Sequence, residues 1–333
     1  TSAGETYVSA FDGSDVTSFT VTPEDAGLSR SSIEDLKGGD AAYNAERLIG
    51  TQVGTSIIIK ELARGGMAIV FIAFQKSLKR QIAVKVLPKS LITAKSAELF
   101  QQEAEAVAIL SHPNIIPVYE VGETDDFLFI TMQLVQGNTL AQYMQFAQKN
   151  PIPSRRVLPL PATLRVMIQM LDALDYAHSQ GIVHRDIKPG NIMIEKHSRR
   201  PLVTDFGIVQ VLNSDTEAAK AVHGTPLYMA PEQILGQDVD GRADIYAAGT
   251  MFYQMLVAEL PLPEFKSKTD LLKHKILSRG NFFLKKPSEV NPAIDQEMDR
   301  IIGKATAFEP DQRYGSGRDF LGDLEQYQRQ RRL

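Results

Sequence analysis

The sequence has no cysteine among its 333 residues. Disulfide frameworks, cysteine-ligated zinc sites and thiol nucleophiles are therefore excluded. Positive charge is not in excess either, since 36 Lys and Arg residues against 40 Asp and Glu residues give a formal net charge of −4. This balance argues against a nucleic-acid partner that is bound through bulk positive charge, and we expect none.

Long apolar runs are also missing. The two longest, residues 68–74 and 245–258, fall short of the roughly 20 residues that cross a bilayer, and Thr250 and Gln254 interrupt the second. The N-terminus lacks the basic-then-apolar pattern of a secretory signal. We therefore predict no membrane segment in this chain. We expect a cytoplasmic protein, or one at the cytoplasmic face of a membrane.

Residues 1–50 differ from the rest of the chain in composition. They hold nine acidic residues against three basic ones, and the stretch up to Ser32 is rich in Ser and Thr and poor in large apolar residues. Such a segment cannot bury enough surface to offset the entropy that ordering costs. We predict an acidic, disordered tail, which is either a solubilising leader or a phosphorylatable regulatory arm.

From residue 51 onward, strand patterns come first and helical patterns follow. Runs rich in Ile, Val and Phe predict strands at 56–62, 68–74, 81–87, 116–121 and 127–134, with one helix at 97–110. After Gly137 the predicted helices are 139–148, 162–180, 242–258, 269–278, 294–307 and 317–328. This order predicts an α+β fold with two unequal lobes, residues 51–135 and 136–330.

The chemical signal is concentrated in four short motifs. Residues 184–191 read His-Arg-Asp-Ile-Lys-Pro-Gly-Asn, residues 205–207 read Asp-Phe-Gly, and Gly-Thr-Pro at 224–226 and Ala-Pro-Glu at 230–232 follow. In this order, over about residues 55–330, they resemble the eukaryotic-like (Hanks-type) Ser/Thr protein kinases, most of all the bacterial ones. The resemblance implies the bilobal kinase fold, with a small antiparallel-sheet lobe containing one main helix and a larger, mostly helical lobe.

The resemblance also assigns roles in phosphoryl transfer, a reaction that depends on positioning and on charge neutralisation. Asp186 would orient the attacking hydroxyl and accept its proton, and Lys188 would neutralise the transferred group. Asn191 and Asp205 would hold Mg²⁺, with Mn²⁺ as an alternative, because amide and carboxylate oxygens suit a hard cation. The cofactors implied are therefore ATP and a divalent metal ion.

Lys85 ends an Ile-Ala-Val-Lys run on the third predicted strand. By resemblance it contacts the α- and β-phosphates of ATP and pairs with a Glu on the following helix. Glu103 and Glu105 both qualify by position, and the alignment favours Glu103. The ATP-binding set that the resemblance implies is Leu62, Ala63, Gly65, Gly66, Val70, Ala83, Lys85, Met132, Gln133, Val135 and Met193.

The glycine-rich turn departs from the family pattern. Where the family has three glycines, this chain has Ala63, Gly65 and Ala68, with an additional Gly66. Glycine allows backbone N–H groups to approach phosphates closely and to adopt positive φ. The departure therefore bears on ATP affinity more than on chemistry.

Further residues are architectural or regulatory by resemblance. Glu232 and Arg313 should form a buried ion pair under the substrate loop, and Asp244 should anchor the backbone of the catalytic loop. Thr225 would shape the substrate floor. Arg185 would pair with a phosphate on the activation loop, for which the candidate hydroxyls are Ser214 and Thr216.

The sequence therefore predicts ATP- and Mg²⁺-dependent phosphorylation of Ser or Thr on proteins, with autophosphorylation. One alternative is a pseudokinase scaffold, which the altered glycine-rich turn favours. Another is a small-molecule phosphotransferase, which the intact 224–232 platform disfavours. Thr22, followed by an acidic residue three positions later, resembles a ligand of forkhead-associated domains once phosphorylated, so a protein with such a domain is a candidate partner.

Overall fold

An antiparallel sheet forms the N-terminal part of the protein, of which this computed structural model describes residues 45–65, 68–206 and 226–332. The strands are β1 (Gln52–Val53), β2 (Ser56–Arg64), β3 (Ile69–Gln75), β4 (Arg80–Pro88), β5 (Val118–Glu123) and β6 (Phe127–Met132). Their order is β1-β2-β3-β4-β6-β5. The five predicted strands are all present. The additional strand β1 is short, pairs antiparallel with β2 and lies at the edge of the sheet.

Helix α1 covers Ala94–Ala108 and packs on this sheet. Thr93 caps its N-terminus, since the Thr93 side chain accepts a hydrogen bond from the backbone N–H of Ser96. Phe100 and Ala104, one turn apart, are buried in a cluster with side chains of the sheet. The prediction placed the start of the helix at residue 97, and the cap explains why it begins three residues earlier.

Both faces of strand β4 are covered, which explains its unbroken apolar run. Val84 and Val86 belong to one core cluster, whereas Leu87 belongs to another, together with Phe100 of α1. Because side chains alternate along a strand, Lys85 shares the face of Leu87. The sheet therefore presents Lys85 on the same side as α1.

A small second sheet, in the order β7-β8-β9, underlies the motif residues. Its strands are β7 (Gly137–Thr139), β8 (Ile192–Glu195) and β9 (Pro201–Val203). In the β8–β9 hairpin Ile192 pairs with Val203, and the Thr204 N–H donates to the Asn191 carbonyl at 2.9 Å. The hairpin therefore brings the end of the 184–191 motif next to the start of the 205–207 motif.

The rest of the described chain is mostly helical. The helices are α2 (Leu140–Gln148), α3 (Leu160–Ser179), α4 (Pro231–Leu235), α5 (Gly241–Leu256), α6 (Lys268–Leu277), α7 (Pro287–Val290), α8 (Gln296–Ala305) and α9 (Gly317–Arg331). Helices α3, α5, α8 and α9 enclose the main hydrophobic core. The predicted α+β fold, a small sheet with one main helix before a larger helical part, is confirmed.

Helix α3 is the central helix of this core. The stretch Pro153–Ser179, which includes α3, is the one helical segment in the described residues that is long and apolar enough to cross a membrane. Within the fold, 56% of its most apolar window is buried, and Met167, Met170 and Leu174 are completely covered. Its apolar composition is accounted for by this packing.

Candidate active site

The loop at 184–191 is held from below by Asp244, in the first turn of α5. The buried Asp244 carboxylate accepts hydrogen bonds from the backbone N–H groups of His184 at 2.8 Å and Arg185 at 2.7 Å. It also lies 2.8 Å from Nε2 of His178. Arg185 has a φ of 65°, a left-handed conformation that costs energy in a residue with a Cβ. Asp244 therefore stabilises a strained turn at the position where the loop begins.

The His184 side chain holds neighbouring parts of the backbone together. Its Nδ1 accepts a hydrogen bond from the backbone N–H of Asp186 at 3.2 Å, so Nε2 carries the proton that is donated to the Thr204 carbonyl at 2.9 Å. Its ring also contacts Phe206, with 4.5 Å between the ring centroids. Both ring nitrogens are occupied, so His184 connects the two motifs and is not placed to act as a base.

One oxygen of the Asp186 carboxylate is held by hydrogen bonds, and the other has none among the described residues. Oδ2 accepts from Lys188 Nζ at 2.6 Å and from the Asn191 side-chain amide at 3.0 Å. The same amide nitrogen donates to the Asp186 backbone carbonyl at 2.8 Å. These contacts fix the orientation of Asp186, and Oδ1 is the oxygen that a substrate hydroxyl could approach.

Lys85 and Asp205 join the two parts of the protein. Lys85 Nζ lies 2.6 Å from Oδ1 of Asp205, and Lys85 is only 8% exposed. Burial by itself would raise the pKa of the Asp205 carboxyl, but Lys85, with a smaller contribution from Lys188, holds that pKa below its ordinary value. Asp205 is therefore an anion next to the 184–191 loop.

The strand register gathers the predicted ATP-binding residues on one face of the sheet. Ala63 pairs with Val70, Val70 with Lys85, and Ala83 with Met132. Cross-strand partners point to the same face, and so do alternate residues of one strand. These five side chains therefore form a continuous surface that includes the Lys85 ammonium.

The segment after β6 supplies backbone groups beside that surface. The Gln133 N–H donates to the Pro117 carbonyl at 3.1 Å, so this N–H is already used within the protein. The Gln133 carbonyl and the backbone of Val135 are therefore the candidates for hydrogen bonds to the adenine base of ATP. Met193 lies on β8, opposite Leu202, in the second sheet.

The turn between β2 and β3 is closed by a backbone hydrogen bond. The Gly65 N–H donates to the Ala68 carbonyl at 2.8 Å, and a Cβ at Gly65 would lie 3.5 Å from that oxygen, an ordinary contact. Leu62, before the turn, is 51% exposed, which suits a residue that borders an open cleft. Gly66 lies outside the described residues.

Glu232 and Arg313 form the buried ion pair that the sequence predicted. Two guanidinium nitrogens of Arg313 donate to the two Glu232 oxygens at 2.6 and 2.7 Å. The remaining donors reach the carbonyls of Ala307, Phe308 and Arg242, so all five N–H groups are used. The pair connects the start of α4 with the loop before α9.

The sequence pattern of the protein kinase domain matches residues 57–321. The chain belongs to the protein kinase family. It is 34% identical over 284 residues to serine/threonine-protein kinase Pkn1 of Myxococcus xanthus, covering 84% of this chain and 39% of that protein. It is 34% identical over 281 residues to serine/threonine-protein kinase PrkC of Bacillus subtilis, covering 84% of this chain and 41% of PrkC. Both relatives are bacterial Ser/Thr kinases.

A further relative bears on the choice of hydroxyl. MasK of Myxococcus xanthus, named a tyrosine-protein kinase, is 33% identical over 290 residues, covering 82% of this chain and 43% of MasK. Among solved structures, the PknI kinase domain of Mycobacterium tuberculosis matches with a TM-score of 0.66 and 28% identity, covering 86% of this chain and 99% of that one. The chain spans about two fifths of the length of these curated relatives.

The kinase departs from the sequence prediction at Glu103. The predicted Lys85–Glu103 ion pair is absent here, because Lys85 pairs with Asp205 and Glu103 Oε1 lies 3.7 Å from a guanidinium nitrogen of Arg185. Glu103 Oε2 and Arg185 Nε are buried without a hydrogen-bond partner among the described residues. Burial raises the pKa of Glu103, and Arg185 opposes that shift. The Glu103–Arg185 contact is therefore incompletely satisfied.

Sequence reasoning missed Gln233, which connects the 230–232 motif to the 184–191 loop. The Gln233 side chain accepts from the Ala230 N–H at 2.9 Å and donates to the Arg185 carbonyl at 3.0 Å. The sequence signal that could have indicated Gln233 is its position directly after the Ala-Pro-Glu motif at 230–232. Three other predicted residues, Ser214, Thr216 and Thr225, lie outside the described part of the chain.

Proposed function

We propose that this kinase transfers the γ-phosphoryl group of ATP to Ser or Thr hydroxyls of proteins, and that it phosphorylates itself. The observation that carries the proposal is the contact of Asp186 with Lys188 and Asn191, next to the Lys85–Asp205 pair. Phosphoryl transfer needs positioned groups and neutralised charge. The cluster offers two cations, two carboxylates and an amide for those tasks.

Each residue has a role that its contacts support. Asp186 orients the substrate hydroxyl and accepts its proton at Oδ1, since Oδ2 is held by Lys188 and Asn191. Lys188 neutralises charge on the transferred group. Lys85 exchanges its contact with Asp205 for the α- and β-phosphates, and its burial strengthens that interaction because nearby water is excluded.

Asn191 and Asp205 fit a divalent cation. The β8–β9 hairpin brings the two residues together, and an amide oxygen with a carboxylate is a donor set that Mg²⁺ accepts, as does Mn²⁺. The Asn191 amide nitrogen is committed to Asp186, so its oxygen is the end that remains for the metal. When bound, the cation neutralises charge on the phosphate oxygens.

A pseudokinase is the second candidate, and Ala63 and Ala68 favour it. Against it, the Gly65–Ala68 hydrogen bond still closes the turn, and each Ala adds only one methyl group. The chain also retains all four of the residues proposed for catalysis and metal binding, Lys85, Asp186, Asn191 and Asp205. The two candidates differ in one observable, the transfer of phosphate from bound ATP.

The test is mass spectrometry of the intact chain and its peptides after incubation with Mg²⁺-ATP. The normal chain should gain phosphate on Ser or Thr, whereas Asp186→Asn should gain none and still bind ATP. ATP binding without phosphate on either chain would favour the pseudokinase. Phosphate on Tyr would contradict the proposed hydroxyl, a result that the similarity to MasK makes worth measuring.

Activation follows from the Glu103–Arg185 contact. A phosphate on Thr216 or Ser214 carries more charge than the Glu103 carboxylate, so it would draw Arg185 away and release Glu103 for Lys85. The Ser214→Ala, Thr216→Ala double variant should therefore be less active than the normal chain, measured as phosphate transferred to a protein substrate. Full activity of this variant would exclude both hydroxyls as the switch.

The partner and the location are proposed from the sequence. Thr22, which lies outside the described residues, is proposed to bind a forkhead-associated domain when phosphorylated, and the kinase is proposed to act in the cytoplasm or at the cytoplasmic face of a membrane. A peptide of residues 16–28 should bind such a domain only with phosphate on Thr22. Equal binding of the unmodified peptide would refute the partner proposal.

A further inference from the structure

Helix α6 carries a lysine that is buried in the protein. Lys275 is 1% exposed, and its Nζ donates hydrogen bonds to three backbone carbonyls, those of Pro226 at 3.2 Å, Leu227 at 2.6 Å and Met229 at 2.8 Å. Lysine is almost never fully buried unless its charge is paired. This lysine therefore needs a specific explanation.

Three backbone carbonyls and two aromatic rings surround the Lys275 side-chain nitrogen. The ammonium lies 4.9 Å from the ring centroid of Tyr246 and 4.5 Å from that of Phe282. Among the described residues no carboxylate lies within ion-pair distance of it, although the charges of Glu232 and Arg313 reach it through space. An ammonium has three donors, which matches the three carbonyls, whereas a neutral amine has two.

An apolar side chain would fill this place without the cost of burying a charge. Burial, with a further contribution from Arg313, lowers the pKa of Lys275 well below its ordinary value, which is a measure of that cost. What an apolar residue could not supply is hydrogen bonds to the three carbonyls. We therefore look for the function of Lys275 in its effect on the backbone of residues 226–229, which carries those carbonyls.

That segment joins Thr225 to helix α4. Ala230 at its end is buried, Tyr228 within it is bonded to Gln254 through its hydroxyl, and Gln233 connects α4 to the catalytic loop. The segment is thus anchored at its side chains and at its far end. Lys275 adds the anchor for its backbone, directly after Thr225, the residue that the sequence predicts to shape the substrate floor.

We propose that Lys275 is a positioning residue for the protein substrate, because its ammonium fixes the backbone of residues 226–229 that the substrate docks against. This rests on the proposed function, since it assumes transfer to a protein hydroxyl. Lys275 does not touch the reacting atoms. It should therefore affect the KM for the protein substrate and leave ATP binding and the chemistry at Asp186 unchanged.

The experiment uses dephosphorylated casein as the substrate probe and compares Lys275→Met with Lys273→Met. Lys273 is exposed on the same helix, so it controls for the loss of a lysine. Loss of hydrogen bonds to a charged donor predicts that Lys275→Met raises the KM for casein about tenfold or more. The Kd for ATP and the rate of casein-independent ATP hydrolysis should stay within about twofold, and Lys273→Met should match the normal chain.

Lys275→Gln provides a second variant, since its neutral amide keeps two donors and should raise the KM less than Met does. If Lys275→Met does not fold, the Gln variant decides, together with hydrogen exchange at residues 226–230, which should be faster in Lys275→Gln. An unchanged KM for casein in the folded variants would overturn the proposal, and so would an equal loss of ATP hydrolysis. A normal chain that binds ATP and phosphorylates neither casein nor itself would refute the proposed function, and this inference with it.

Discussion

Replacing Arg313 by Met should unfold this kinase at a much lower denaturant concentration. The Arg313 side chain is completely buried, and Glu232 opposite it is 4% exposed. Arg313→Met leaves the Glu232 carboxylate in the interior without its countercharge and removes the donors of three carbonyls. Breaking a buried pair from one side costs about 3–5 kcal/mol, which is a large part of the stability of most domains.

The assay is urea unfolding at neutral pH, followed by fluorescence and circular dichroism. Arg318→Met is the matched control, because Arg318 is 71% exposed and its pairing with Asp172 at 3.8 Å should contribute about 1 kcal/mol or less. The Glu232→Gln, Arg313→Met double variant should be more stable than Arg313→Met alone, since no charge is left unpaired. Equal losses for Arg313→Met and Arg318→Met would refute the reasoning.

Two further variants test the packing and the catalytic loop. Gly249→Ala should cost about 1–3 kcal/mol in thermal unfolding, because a Cβ there would lie 2.7 Å from the Ala305 Cβ of α8, whereas Gly303→Ala, with open space, should be neutral or stabilising. A smaller loss at Gly249 than at Gly303 would contradict the close packing of α5 on α8. Asp244→Asn should lower kcat roughly ten- to a hundredfold, since either amide orientation deprives a backbone N–H of its acceptor. An unchanged kcat in a folded Asp244→Asn variant would argue against the anchor.

Much of the fold could be predicted because its patterns are local. The Ile- and Val-rich runs of β3 and β4 are long enough to be recognised, and helix α5 is apolar on all sides because it is buried. By contrast, β7 and β9 have three residues each, and their pairing through β8 depends on residues far apart in the chain. A strand of three residues is too short for its sequence pattern to predict it.

The candidate site shows the same division between local and distant contacts. Asp186, Lys188 and Asn191 lie in one loop, so their mutual contacts follow from the motif. Lys85, Glu103 and Arg185 come from three separate elements, and which of them pair depends on how α1 sits over the loop. The carboxylates of Asp205 and Glu103 are both candidates for an ion pair with Lys85, and only the packed structure shows that Asp205 forms it.

The sequence by itself determined the family and the order of strands and helices, and it singled out the residues that we propose for phosphoryl transfer. Each of these depends on residue types at short spacing. Tertiary structure decided that Lys85 contacts Asp205, that Glu103 contacts Arg185, and that Lys275 is buried against backbone carbonyls. The physical reason is that charge pairing and burial depend on distances between elements that are remote along the chain. A lysine in α6 is expected at the surface, and only the carbonyls of residues 226, 227 and 229 account for its burial.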